Sequence, residues 1–104
     1  MNYSLHIGLN AVDPDGYEGW NGELFACESD AEVYKDFASN ASFQTIHSLL
    51  TKDATSKNVL QQLDDAAAQL KAGDLFLLSY SGHGGSIIDV NKDKKDGFDE
   101  TWCL

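Results

Sequence analysis

The sequence predicts an α/β domain in three layers, a mainly parallel sheet with helices on both faces. Three observations carry this prediction. Strand-like runs at 3–9, 43–50 and 75–80 alternate with helical periodicity at 27–38 and 56–70, giving the order β-α-β-α-β. Such an order favours right-handed crossovers and parallel pairing. The third run, Leu75 to Tyr80, is apolar except for Ser79, as expected of a strand covered on both faces and central to its sheet. That run then meets Ser81, Gly82, His83, Gly84 and Gly85, where the carboxyl ends of strands in open α/β sheets hold ligands.

The first strand alternates Tyr3, Leu5, Ile7 and Leu9 with Ser4, His6 and Gly8. His6 lies on the polar phase and reads as a surface or packing residue. Asp13-Pro14-Asp15-Gly16 is a turn, and the loop runs on through Trp20 and Gly22. Its aromatics fit either a pocket wall or a loop packed on its own rings. Ser29 or Asp30 can cap the first helix, with Ala31, Val33, Tyr34, Phe37 and Ala38 along its apolar face. His47 falls between apolar residues in the second strand and reads as structural. Thr55 or Ser56 starts the second helix, whose stripe is Val59, Leu60, Leu63, Ala66, Ala67 and Leu70. Gly73 suits the residue after its end.

At 104 residues the chain is one domain at most. A net charge of −10 argues against nucleic acids and anionic membranes as partners, since both require basic surface. It suits cationic partners, although most of these charges serve solubility. Two cysteines are too few for a disulfide framework, which points to a reduced compartment. No run approaches the ~20 apolar residues of a membrane span, and no signal peptide is visible.

His83 among glycines is either a catalytic group or a histidine on an ordinary turn. The flanking glycines allow a substrate backbone close approach and free the Gly84 N–H as a donor. SGHGGS lacks both GxGxxG and the lysine of a phosphate-binding loop. Further on, Asp89, Asn91, Asp93 and Glu100 take positions 1, 3, 5 and 12 of an EF-hand-like loop. Lys94 stands where that loop needs glycine, so the expectation is an acidic hairpin, with an irregular Ca²⁺ site as the alternative. Thr101 to Leu104 reads as the opening of another strand.

SLHIGLNAV, FACESDA and LFLLSYSGHGG with DGFDET, in that order, resemble the caspase-like cysteine peptidases of family C14, specifically the bacterial metacaspase-like (orthocaspase) branch. Ala26 departs from the glycine common before the pocket cysteine. The resemblance extends over nearly the whole chain and implies a caspase-like α/β/α sandwich of which residues 1–104 are an N-terminal, p20-like part. It implies a Cys–His dyad with His83 as general base and acid, and Gly84 as an oxyanion-hole donor. Cys27, Asp30 and Ser81 match an acidic pocket for Arg or Lys at P1, although Asp30 alone is equally well a helix cap. Asp99 matches a Ca²⁺-ligand position of Ca²⁺-activated members. A nucleophile about 50 residues after the histidine would fall near position ~133, so this chain alone is expected to be inactive. Cys27 belongs to the pocket match, and Cys103 reads as a buried structural thiol. The expected partners are a peptide or protein with a basic P1 residue and the rest of the chain's own domain, in the cytoplasm. The alternative is a non-catalytic module of the same fold that binds a cationic peptide or Ca²⁺.

Overall fold

The computed structural model describes residues 1–88 and 98–104. Three parallel strands, β1 (Tyr3–Gly8), β2 (Thr45–Leu50) and β3 (Phe76–Ser81), form one sheet in the order β2-β1-β3. Tyr3 pairs with Thr45 and Phe76, and Gly8 with Leu50 and Ser81, so all three strands end together. Helix α1 (Cys27–Asn40) joins β1 to β2, and α2 (Ser56–Gln69) joins β2 to β3. A separate antiparallel pair follows, β4 (Gly84–Ile88) with β5 (Phe98–Trp102). The last strand therefore begins at Phe98, earlier than its apolar end suggested, and Cys103 follows it.

The centre of the sheet is β1, not β3, which corrects the expectation drawn from the apolar run. All six β1 residues are buried, whereas every β3 residue is only partly so. Among the described residues β3 pairs with β1 alone and forms an edge. Apolar content reports that both faces are covered, but not how many strands flank the run. In β1 the polar phase disguised the burial. Ser4 and His6 are fully buried beneath α1, and Gly8 meets the α1 backbone.

The two faces of β1 explain the layers. Leu5 and Ile7 join Leu9, Val12, Leu49, Val59 from α2 and Cys103 in one apolar cluster. Burying one such aliphatic side chain contributes about 1.5–3 kcal/mol relative to exposure. On the opposite face α1 presents small residues, Cys27, Ala31 and Ala38. Val33 and Phe37 are exposed, contrary to the predicted apolar face, because only small side chains permit the close approach at Gly8. Leu60 is likewise exposed on α2, while Val59 and Ala66 are buried.

Neither Ser29 nor Asp30 caps α1. The cap residue is Ala26, and the side-chain amide oxygen of Asn10, just after β1, accepts from the N–H groups of Cys27 (3.0 Å) and Glu28 (3.1 Å). Two of the open donors of the first turn are thus satisfied from outside the helix. Thr55 caps α2 as predicted, accepting from the Asn58 N–H. That helix ends at Gln69 rather than beside Gly73, which instead takes a positive φ in the turn into β3.

Candidate active site

β3 runs parallel to β1 and ends at Ser81, so His83 lies two residues past the carboxyl end of the sheet. Two hydrogen bonds to its carbonyl hold the His83 backbone. The Tyr80 hydroxyl lies 2.6 Å from the His83 carbonyl and 3.0 Å from that of Cys103, and the Cys103 N–H donates to the same His83 carbonyl at 3.0 Å. Burial, reinforced by Cys103, pushes the Tyr80 phenol up to about 12, so it remains a donor at any physiological pH. Its ring stacks on Trp102 with centroids 4.4 Å apart. Gly82 must be small, because a Cβ there would lie 2.7 Å from the Tyr80 oxygen.

The side chain is held by the loop after β1. Nε2 of His83 is 2.9 Å from the carbonyl of Gly22, and the Trp20 indole packs on the ring at 4.8 Å between centroids. A carbonyl only accepts, so Nε2 must donate its hydrogen, and in the neutral ring Nδ1 carries the free lone pair. The ring nitrogen left open as an acceptor is therefore Nδ1. Gly22 has φ +55°, and a Cβ on it would sit 2.7 Å from Trp20 and 2.9 Å from His83. Both conformation and space demand glycine. Of the two expectations for the loop aromatics, packing of the loop on its own rings holds, with Tyr17 against Trp20, and Trp20 in turn packs on His83.

Gly84 opens β4 opposite Trp102. The Cys103-to-His83 bond makes the preceding pair the hydrogen-bonded one, so by antiparallel alternation the Gly84 N–H points away from β5.

Asp30 and Ser81 come together across the α1–β3 seam. The Ser81 hydroxyl donates to Asp30 Oδ2 at 2.8 Å, which orients an exposed carboxylate one helical turn beyond Cys27. Cys27 is buried against β1, its carbonyl facing Gly8. Cys103 is buried too, its thiol in the apolar cluster with Leu5 and Ile7, as the sequence suggested. A cavity of about 480 Å³ lies elsewhere, lined by residues such as Leu9, Val12, Thr55 and Leu104, and includes none of these groups.

The backbone of Asp99 lies in β5 opposite Ile87. Asp89, Asn91, Asp93, Lys94 and Asp96 lie outside the described residues. Among those described, no three His, Cys, Asp or Glu side chains converge as metal ligands. No helix among them is long and apolar enough to cross a membrane. The sequence reading missed Asn10, the Gly22 carbonyl and Tyr80. The first two act through a cap and a backbone oxygen, which leave no local signature.

Comparison with known proteins supports the same assignment. A family model described as the metacaspase, peptidase C14 domain matches residues 3–104. Metacaspase-1A of Neurospora crassa is 32% identical over 106 residues, covering 93% of this chain and 22% of that protein. Metacaspase-1 of Botryotinia fuckeliana is 28% identical, covering 93% and 24%. The chain thus spans less than a quarter of the length of these relatives. A Geobacter sulfurreducens protein of known crystal structure shares the fold with a TM-score of 0.89 and 50% identity, over 99% of this chain and 39% of that one. With its layered sheet, its histidine past the strand ends and a family match over nearly its whole length, the chain belongs to the metacaspase, peptidase C14 domain family of caspase-like cysteine peptidases.

Proposed function

We propose that this chain supplies the histidine and the P1 pocket of a cysteine endopeptidase that cleaves after Arg or Lys. One observation carries the reading: Nε2 of His83 lies 2.9 Å from the Gly22 carbonyl, which leaves Nδ1 open to serve as the base, next in sequence to a Gly84 N–H turned away from β5. In the reaction, Nδ1 takes the proton of a cysteine thiol, and the thiolate attacks the scissile carbonyl carbon. The carbonyl electron pair moves to oxygen, where the Gly84 N–H stabilises it. Collapse breaks the C–N bond as the imidazolium gives its proton to the departing amine. Water, deprotonated by Nδ1, then hydrolyses the thioester and regenerates the thiol.

The thiol is proposed to lie beyond residue 104, about 50 residues after the histidine. Burial of both Cys27 and Cys103 supports this, as does the short span relative to the fungal metacaspases. The same further segment is proposed to cover the open edge of β3, beside exposed apolar groups such as Leu75 and Trp102. Asp30, oriented by Ser81, is proposed to pair with the substrate cation. The bacterial branch is favoured by the higher identity to the Geobacter protein. Cytoplasmic location is proposed from the cysteine usage alone. Ca²⁺ ligation by Asp99 rests on DGFDET; calorimetric titration of the longer protein should lose its Ca²⁺ signal in Asp99→Ala.

The test is an assay of peptides ending in Arg, Lys or Asp on the longer protein and on this chain. The longer protein should cleave the first two, His83→Ala should reduce turnover by ~10²–10⁴ or more, and the short chain should be inert. Preference for Asp, or turnover by the short chain, contradicts the proposal. A non-catalytic module would bind the basic peptides without cleaving them.

A further inference from the structure

We propose that Trp20 is a positioning residue for His83: its indole confines the imidazole to the Gly22 carbonyl, so that Nε2 keeps the hydrogen and Nδ1 stays free. The geometry stands by itself, and its catalytic consequence rests on the peptidase reading above.

A single hydrogen bond to a carbonyl does not fix a half-exposed imidazole. Rotation about the Cβ–Cγ bond breaks it at little cost, since water replaces the acceptor. Once turned, the ring has no reason to keep its proton on Nε2, and the two tautomers interconvert. The structure blocks that rotation on one side. Trp20 packs against the ring with centroids 4.8 Å apart and planes inclined at 56°. The space between Trp20, Gly22 and His83 has no room even for a methyl group. The indole itself is held by backbone bonds of its loop. Trp20 N–H donates to Tyr17 at 3.1 Å, Val12 N–H to Asn21 at 2.8 Å, and Leu24 N–H to Asn10 at 2.6 Å. The ring of Tyr17 packs edge-on against the indole at 6.2 Å between centroids, and its hydroxyl donates to the Leu104 carbonyl. The platform is therefore tied to the segment just after β1 and to Leu104, while Trp20 keeps 49% exposure and adds little to the core. An aromatic face also suits an imidazole that becomes a cation during turnover, because the ring quadrupole attracts positive charge. An aliphatic side chain of similar bulk offers neither an aromatic ring contact nor that attraction.

Long-range ¹H–¹⁵N correlation spectra of this chain, above the pH at which imidazole is neutral, report the tautomer of each histidine. His83→Gln assigns the signal. The wild type should show only the Nε2–H form at His83, Trp20→Phe should retain it, and Trp20→Leu should show both forms. A single Nε2–H form in Trp20→Leu, or its loss in Trp20→Phe, overturns the proposal. In the longer protein, Trp20→Leu should lower kcat about ten- to a hundredfold with KM little changed, as expected for a misplaced catalytic group. If the wild-type longer protein cleaves nothing, the peptidase reading fails, and the tautomer spectra still decide the role of Trp20.

Discussion

Gly8 is where the sheet and α1 come closest, and replacing it with alanine measures that contact. A Cβ at Gly8 would sit 2.4 Å from the Cys27 carbonyl oxygen, 2.9 Å from its carbonyl carbon and 3.0 Å from Ala31 Cβ. Ordinary contact begins near 3.4 Å, so the overlap is about 1 Å against backbone that no rotamer can move. Relief requires α1 to lift off β1, loosening the contacts of Cys27, Ala31 and Ala38 together. Overpacking typically costs 1–3 kcal/mol, and a rigid backbone partner places this site at the top, about 3 kcal/mol. The folded-to-unfolded ratio should fall by about two orders of magnitude. In urea, with a slope of roughly 1–3 kcal/mol/M, the midpoint should drop by about 1–3 M. Gly16→Ala is the control, since nothing lies within 4 Å of a Cβ there. It should stay within about 0.5 kcal/mol of wild type. Coincident unfolding curves for the two variants, followed by far-UV circular dichroism, would refute the close-approach argument.

Asn10→Ala removes both cap bonds at the start of α1 and should cost about 1–2 kcal/mol by the same urea titration. Asp30→Asn should leave that stability unchanged, because Asp30 does not cap the helix. In the longer protein it should lower kcat/KM for Arg peptides about thirtyfold, the lower end for a lost charge partner (about 2 kcal/mol) because Asp30 is exposed. His6 titrates below its ordinary value of 6.5, chiefly through burial, with Glu32 opposing and Lys35 assisting. The unfolded chain therefore gains this proton first. The contribution of His6 is complete above pH 6.5 and declines as pH falls toward the folded value. Urea midpoints should drop across that acid window, less steeply in His6→Leu; an equal slope contradicts the assignment.

What the sequence revealed, and what it concealed, follows from how local each signal is. The element order and the place of His83 past a strand end rest on contiguous patterns, and both were legible. The centre of the sheet was not. An apolar run such as Leu75–Tyr80 advertises itself, whereas β1 hides its burial behind Ser4, His6 and Gly8, which are small or polar because α1 presses on them. The buried side of α1 was misread for the same reason. Periodicity placed Ala31, Val33, Tyr34, Phe37 and Ala38 on one face, and packing kept only Ala31 and Ala38 of these, leaving the three bulky side chains exposed. The Asp30–Ser81 pair came from family resemblance, 51 positions apart, and the structure joins them. The Gly22 carbonyl could not be read at all, since a backbone oxygen looks the same at every position.

The central claim is that Nδ1 of His83 activates a cysteine beyond residue 104. Its most direct test is the intact mass of the longer protein, with peptide mapping, after incubation with a peptidyl-arginine chloromethyl ketone. One adduct on a cysteine beyond residue 104, lost in His83→Ala, is the expected result. An adduct on Cys27 or Cys103, or equal labelling of His83→Ala, would contradict it.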